Sequence, residues 1–273
     1  MFCIKNNSIL LLILALVVVV ILTTIFALNR YSLKIDKLFF SYENGKCLKK
    51  ADFQIKGEKI VFFSDLHLGR IQKKKEIKKK IQFLSTLDAS LYIFGGDLVG
   101  ENIKKYYSIA DIKEIFQPLE NKKCIAVLGN HEFKSNNKIS YDEIKKYYAA
   151  CNFIVLEDEI YNFKGLNIYG LKDGNSFPLK YQNINDYGLV ILHEGDLFDK
   201  INGNFLMLSG HSHGGQIKIP FSYKPINGKK YLAGLYSFKN KSLIVSKGLG
   251  CNLIKMRFNA KCDIIIIDYT RKE

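Results

Sequence analysis

The chain has 273 residues, enough for one large domain or two small ones with a core of useful size. Its apolar and charged fractions, 48% and 25%, are those of a globular protein and exclude an intrinsically disordered chain. Lysine and arginine outnumber aspartate and glutamate by 41 to 26, a formal charge of +15. Such an excess favours anionic partners such as phosphates, nucleic acid or an acidic membrane surface, unless it is only the solvated surface of a lysine-rich chain. Of these, no nucleic-acid partner is expected.

A short tail, residues 1–8, precedes the uncharged run ILLLILALVVVVILTTIFAL at 9–28. Twenty helical residues rise about 30 Å, the thickness of a bilayer's hydrocarbon core. A cleaved signal peptide has a shorter apolar region and a small-residue cleavage site. Neither is present, so the run reads as a retained single-pass signal anchor that ties the chain to the cell membrane. Lys5 stands before it, and Arg30, Lys34 and Lys37 stand after it, so the positive-inside bias favours a cytoplasmic body. None of the six cysteines shows paired or metal-type spacing, and Cys124 and Cys262 fall in apolar runs, as buried thiols do.

Residues 29–55 read as irregular strand and turn, a juxtamembrane stem entering the domain, and 56–270 as the main folded domain. KIVFFSDLHLG is an apolar run ending in a polar cluster. QKKKEIKKKIQFLSTL carries Ile77, Ile81 and Leu84 at helical spacing. SLYIFGGDLVG predicts a second strand, NIKKYYSIADIKEIFQPL a helix, KCIAVLGNHEF a third strand and YDEIKKYYAAC another helix. NFIVLEDEIYNFKGLNIYGL predicts a meander that turns at Gly165. YGLVILHEGDLF, NFLMLSGHSHGG, KSLIVSKGLG and CDIIIIDYT predict the remaining strands. Strands alternate with helices early and follow one another later, so the class is α/β with mixed sheets covered on both faces.

The histidines carry the chemistry. His67, His131, His193, His211 and His213 are all the histidines of the chain, and each is expected just past the end of an apolar strand. Ligands gather at the carboxyl ends of strands in open α/β sheets. Asp65 with His67, and His211 with His213, stand at i and i+2, which puts both members of each pair on one side of an extended segment. Gly95 and Gly96 before Asp97 permit close approach to a ligand. Asn130 directly precedes His131. Asp97 as a helix cap and Asn130 as a turn residue are the plainer readings. Together these side chains form a mixed oxygen and nitrogen set suited to Mn, Fe or Zn, and seven ligands fit two metals sharing a carboxylate.

The ordered segments DLHLG, GGDLVG, GNHE, a later strand-end histidine and GHSHGGQIKIP resemble the calcineurin-like metallophosphoesterase superfamily. With VSKGLG, the last one resembles its membrane-anchored bacterial phosphodiesterase branch. The likeness covers about residues 56–269. It implies a four-layer αββα sandwich of two mixed sheets. It also implies that Asp65, His67 and His213 hold one divalent metal, that Asn130, His193 and His211 hold a second, and that Asp97 bridges them. His131 is implied to be catalytic without binding metal. EGD after His193 and CNLIKMRFNAKCD after KGLG lack prolines common in relatives, which bears on pocket shape.

The expected function is a membrane-anchored, two-metal phosphodiesterase or pyrophosphatase in which a bridging hydroxide attacks in line. A membrane tether suits a lipid-linked substrate such as UDP-2,3-diacylglucosamine, which a relative in the superfamily cleaves. Arg70, just after DLHLG, could clamp a substrate phosphate or be plain surface. The basic run at Lys73–Lys75 and Lys78–Lys80 suits anionic headgroups or simply solvent. The alternative is a metal-stabilised scaffold that binds phospholipid without turnover. A zinc amide hydrolase is disfavoured because no H-E-x-x-H helix is present.

Overall fold

A computed structural model describes residues 2–32, 34–43, 46–50, 56–134, 139–173, 177–218 and 230–270. The stem's last five residues, 51–55, and the end of GHSHGGQIKIP lie outside them. The first element, α1 (Phe2–Ser32), contains an 18-residue stretch, Leu10–Ala27, with mean hydropathy 3.2 and nothing packed on it. By length and composition it can cross a membrane. A signal sequence near an N-terminus would look the same.

Two mixed sheets form the body. The first runs in the order β2 (Lys46–Lys50), β1 (Ile35–Glu43), β13 (Cys262–Tyr269), β3 (Glu58–Phe63), β4 (Leu91–Phe94), β5 (Cys124–Ala126), β6 (Ile154–Val155). The second runs β11 (Gly234–Ser237), β12 (Lys241–Val245), β10 (Asn202–Gly210), β9 (Asn183–Glu194), β8 (Leu166–Gly170), β7 (Glu159–Phe163).

The apolar runs explain the layering, because successive side chains in a strand point to opposite faces. In β13, Ile264 and Ile266 pack on the helix side, while Ile265 and Ile267 face the other sheet. Val61 and Phe63 of β3 divide from Ile60 and Phe62 in the same way. In the second sheet, Leu206 and Leu208 of β10 face inward and Phe205 and Met207 outward. A strand buried on both faces has no polar side, and burying each such side chain contributes about 1.5–3 kcal/mol. The outer face of the first sheet is covered by α2 (Lys74–Ser85), which buries Ile77, Ile81 and Leu84 as their spacing predicts. After the one-turn α3 (Ile103–Tyr106) come α4 (Ile109–Phe116) and α5 (Tyr141–Ala150) on the same side. The outer face of the second sheet carries a thinner layer, a 3-10 helix at Gly195–Lys200 with Leu171 and Tyr231.

Two expectations change. The single helix read across NIKKYYSIADIKEIFQPL is broken at Ser108, which accepts from the Asp111 amide while the Asp111 carboxylate accepts from the Ser108 amide. That capping box starts a new helix rather than continuing the old one. The stretch read as a stem supplies two strands of the first sheet. β1 pairs in parallel with β13 from Ile35↔Cys262 to Tyr42↔Tyr269, so the sheet begins before residue 56. Tyr42 also donates to the Tyr187 carbonyl at 2.7 Å, joining the two sheets. Cys47, Cys124, Cys151, Cys251 and Cys262 are free and buried.

Candidate metal centre

The carboxyl ends of β3, β4 and β5 in one sheet meet those of β9 and β10 in the other. Asp65 and His67 follow β3, Asp97 follows β4, Asn130 and His131 lie in a turn after β5, and His211 and His213 follow β10. His193 differs slightly from expectation, standing inside β9 at its next-to-last position. The loops are laced to one another by backbone bonds, Asp65 N–H to Gly96 O at 3.0 Å and His67 N–H to Asp97 O at 3.0 Å. They are therefore placed as firmly as the strands they extend.

The i, i+2 argument fails in its geometry. Asp65, His67, His211 and His213 all have positive φ, from 48° to 69°, so neither pair lies on extended backbone. The imidazoles of His211 and His213 consequently diverge. His213 gathers with Asp65 and His67, whereas His211 gathers with Asp97 and His193. The permissive glycines serve protein groups rather than an incoming ligand. A Cβ on Gly95 would strike the Phe62 ring. One on Gly96, at φ +91°, would stand 2.7 Å from the Gly129 amide nitrogen and 2.9 Å from His193 Nδ1.

Asp97 sits between the two groups. Its Oδ2 lies 3.5 Å from His67 Nε2 and 3.2 Å from His193 Nε2, while Oδ1 accepts the His131 amide at 2.9 Å. It caps no helix. His67 Nε2 and His213 Nε2 approach to 2.9 Å, and Asp65 Oδ1 is 3.6 Å from His213 Nε2. Asn130 occupies a turn as its type suggests, yet its Oδ1 also meets His211 Nδ1 at 2.9 Å. All seven side chains expected as ligands converge.

The donor set fits a cation. His193 Nδ1 is 2.7 Å from the Gly95 carbonyl, which assigns the ring proton to Nδ1. Nε2 then presents a lone pair, has no hydrogen-bond partner and is fully buried opposite the Asp97 carboxylate. Two lone-pair atoms facing each other in a dry site repel unless a positive charge lies between them. Burial pushes the Asp65 carboxyl up to about 6 and pulls His67 down to about 3.

His131 is half-buried on the wall of a cavity of about 690 Å³, which His67, Arg70, Lys134 and Asn252 also line. Its Nε2 contacts the Lys134 ammonium and lies 3.4 Å from Asn252 Nδ2. It also forms a third possible cluster with His67 and Asp97. Arg70 reaches the same cavity with its Nε held by Glu101 at 2.9 Å, both side chains about half exposed.

Sequence reasoning missed several supports. Glu132 is buried and accepts the amides of Asp97, Gly129 and Val99 at 3.2, 2.8 and 3.0 Å, which ties the β4 and β5 loops together. Arg257 is fully buried beneath the site. It donates to the carbonyls of Lys247 and Gly250 at 2.7 and 2.6 Å and of Ala260 at 3.1 Å, and meets His213 Nδ1 at 3.2 Å. Its signal was its rarity, one of four arginines in a lysine-rich chain. Arg257→Ala would leave several buried carbonyls without donors, at about 1–3 kcal/mol each. The melting temperature of this variant is expected to fall by about 6–12 °C, since each kcal/mol is about 2–4 °C at this size. A thermal melt within a degree or two of the parent would show that the guanidinium carries no such load.

The sequence profile of the family Calcineurin-like phosphoesterase matches residues 58–249, the span that contains every side chain of the centre. The chain belongs to that family. The side chains that could hold a metal ion cluster within the matched span. A metallophosphoesterase of Helicobacter pylori is 29% identical over 236 residues, covering 80% of this chain and 60% of the relative. The metallophosphoesterase YkuE of Bacillus subtilis is 28% identical, covering 77% and 78%. The phosphodiesterase YaeI of Escherichia coli is 26% identical over 222 residues, covering 77% and 81%. The chain thus spans about 60% of the length of the Helicobacter pylori relative.

Proposed function

We propose that this phosphoesterase is a membrane-anchored phosphodiesterase or pyrophosphatase that works with two divalent metals. The observation that carries the reading is the Asp97 carboxylate, within 3.5 Å of His67 on one side and 3.2 Å of His193 on the other. Asp65, His67 and His213 would hold one ion and Asn130, His193 and His211 the other, with Asp97 shared between them. The mixed donors suit Mn, Fe or Zn. When bound, such a pair supplies a hydroxide near neutral pH and neutralises phosphoryl oxygens.

The chain's own residues do the rest. The loop lacing and Glu132 hold the ligands in place, so little reorganisation is needed when charge develops. His131, on the cavity wall beside His67, donates a proton to the leaving oxygen. Lys134 and Asn252 flank His131 and supply positive charge and a hydrogen-bond donor to the same end of the substrate. Arg70 is already paired with Glu101, so it reaches a phosphate only by exchanging that partner.

The substrate is a phosphodiester or pyrophosphate, in keeping with the name of the Escherichia coli phosphodiesterase, and a lipid-linked one such as UDP-2,3-diacylglucosamine agrees with the apolar α1. Arg30, Lys34 and Lys37 after the span support a cytoplasmic domain. Metal analysis and turnover of bis-(p-nitrophenyl) phosphate by the full chain in detergent test the reading. Two metals per chain with Mn-dependent hydrolysis are expected. Metals bound without turnover would favour the phospholipid-binding scaffold instead.

A further inference from the structure

A second cavity, of about 560 Å³, adjoins the catalytic one, and Cys251 lines both. Its apolar floor includes Ile35 and Phe83, and its rim carries Lys34, Lys79, Lys80 and Lys255. Lys37 stands over the Phe83 ring at 5.3 Å. Glu76 is the one carboxylate among the lining residues, and Lys255 already contacts it. Nearby Asp36 pairs with Lys261 at 3.0 Å. The groove therefore keeps a net positive rim over an apolar floor.

The basic face of α2 is divided. Lys74 and Lys78 turn outward to Asp111 and Glu114 on α4, at 2.7 and 2.5 Å. Lys79 lines the groove instead, as does Lys80, whose ammonium contacts the Leu249 carbonyl. Chain connectivity then places the groove. From Ala27, the end of the candidate span, five helical residues and one further residue lead to Lys34. They extend at most about 15 Å, against a headgroup layer about 5–8 Å deep. The groove must stand at the face of whatever membrane α1 enters.

We propose that this groove binds one anionic phospholipid of that membrane, its phosphate on Lys34, Lys79 and Lys255 and an acyl chain against Ile35 and Phe83. The lipid fixes the domain's tilt, so the adjoining catalytic cavity opens along the bilayer surface. The proposal rests on α1 being a retained membrane span. A soluble anion would use the lysines but leave the apolar floor uncovered.

Native mass spectrometry of the full chain in detergent, with phosphatidylglycerol or phosphatidylcholine added in equal amounts, tests it. Phosphatidylglycerol adducts should dominate, by about fivefold per lysine engaged. The double variant Lys34→Glu, Lys79→Glu should lose that preference and keep its turnover of bis-(p-nitrophenyl) phosphate. Both side chains are exposed and outside the metal centre. Inorganic phosphate should not displace the lipid. Equal retention of both lipids by the parent, equal retention of phosphatidylglycerol by the variant, or displacement by phosphate would overturn the proposal. Recovery of the parent from the soluble fraction would instead overturn the span.

Discussion

Asp97→Ala is expected to abolish hydrolysis and to release metal from both positions at once. The carboxylate lies between His67 and His193, so neither cluster keeps its full set of donors without it. Loss of the paired ions removes several kcal/mol of transition-state charge stabilisation, about 10³-fold or more in rate. The backbone should survive, because Glu132 still accepts the Asp97 amide and only the His131 amide loses its acceptor, Asp97 Oδ1. A far-ultraviolet circular dichroism spectrum like the parent's would establish that the variant is folded. Elemental analysis then decides: two tightly held metals in folded Asp97→Ala would remove Asp97 from the bridging position.

His131→Ala is expected to keep both metals and lose about 10²- to 10⁴-fold on an alkyl phosphodiester, the usual range for a general acid. With p-nitrophenolate as leaving group the loss should be much smaller, because that group departs without a proton. The position suits the role. His131 lies on the cavity wall, its ring edge-on to His67 with centroids 4.5 Å apart. Burial depresses its pKa, and the Lys134 ammonium adds to the effect while Asp97 opposes it. A depressed imidazolium is a stronger acid toward a poor leaving group, but it is protonated in fewer molecules at neutral pH. The competing cluster of His67, Asp97 and His131 makes the metal count informative. A metal missing from the variant, or equal losses on both substrates, would make His131 a ligand or a bystander.

Much of the candidate site was legible because metal chemistry leaves few substitutes. Five histidines at or just beyond strand ends, two aspartates and one asparagine marked the centre before any contact was known. The supporting groups were not legible, since Glu132, Lys134, Asn252 and Arg257 act through neighbours up to 121 residues away. Local spacing also misled where the backbone turned left-handed. An i, i+2 pair shares a side only on extended chain, and positive φ at His211 and His213 sent the two rings to different clusters.

By itself the sequence determined the apolar strands, the helix that buries Ile77, Ile81 and Leu84, the long apolar N-terminal run and the set of metal-type side chains. These follow from local periodicity and residue chemistry, which a single stretch carries. The tertiary structure alone decided that Ile35–Glu43 joins the first sheet, because its partner is Cys262–Tyr269, more than 200 residues away. It alone decided that a lysine-rimmed groove lies beside the cavity that His67 and His131 line. Pairings across such distances depend on surfaces that exist only once both sheets are packed, and no local pattern encodes them.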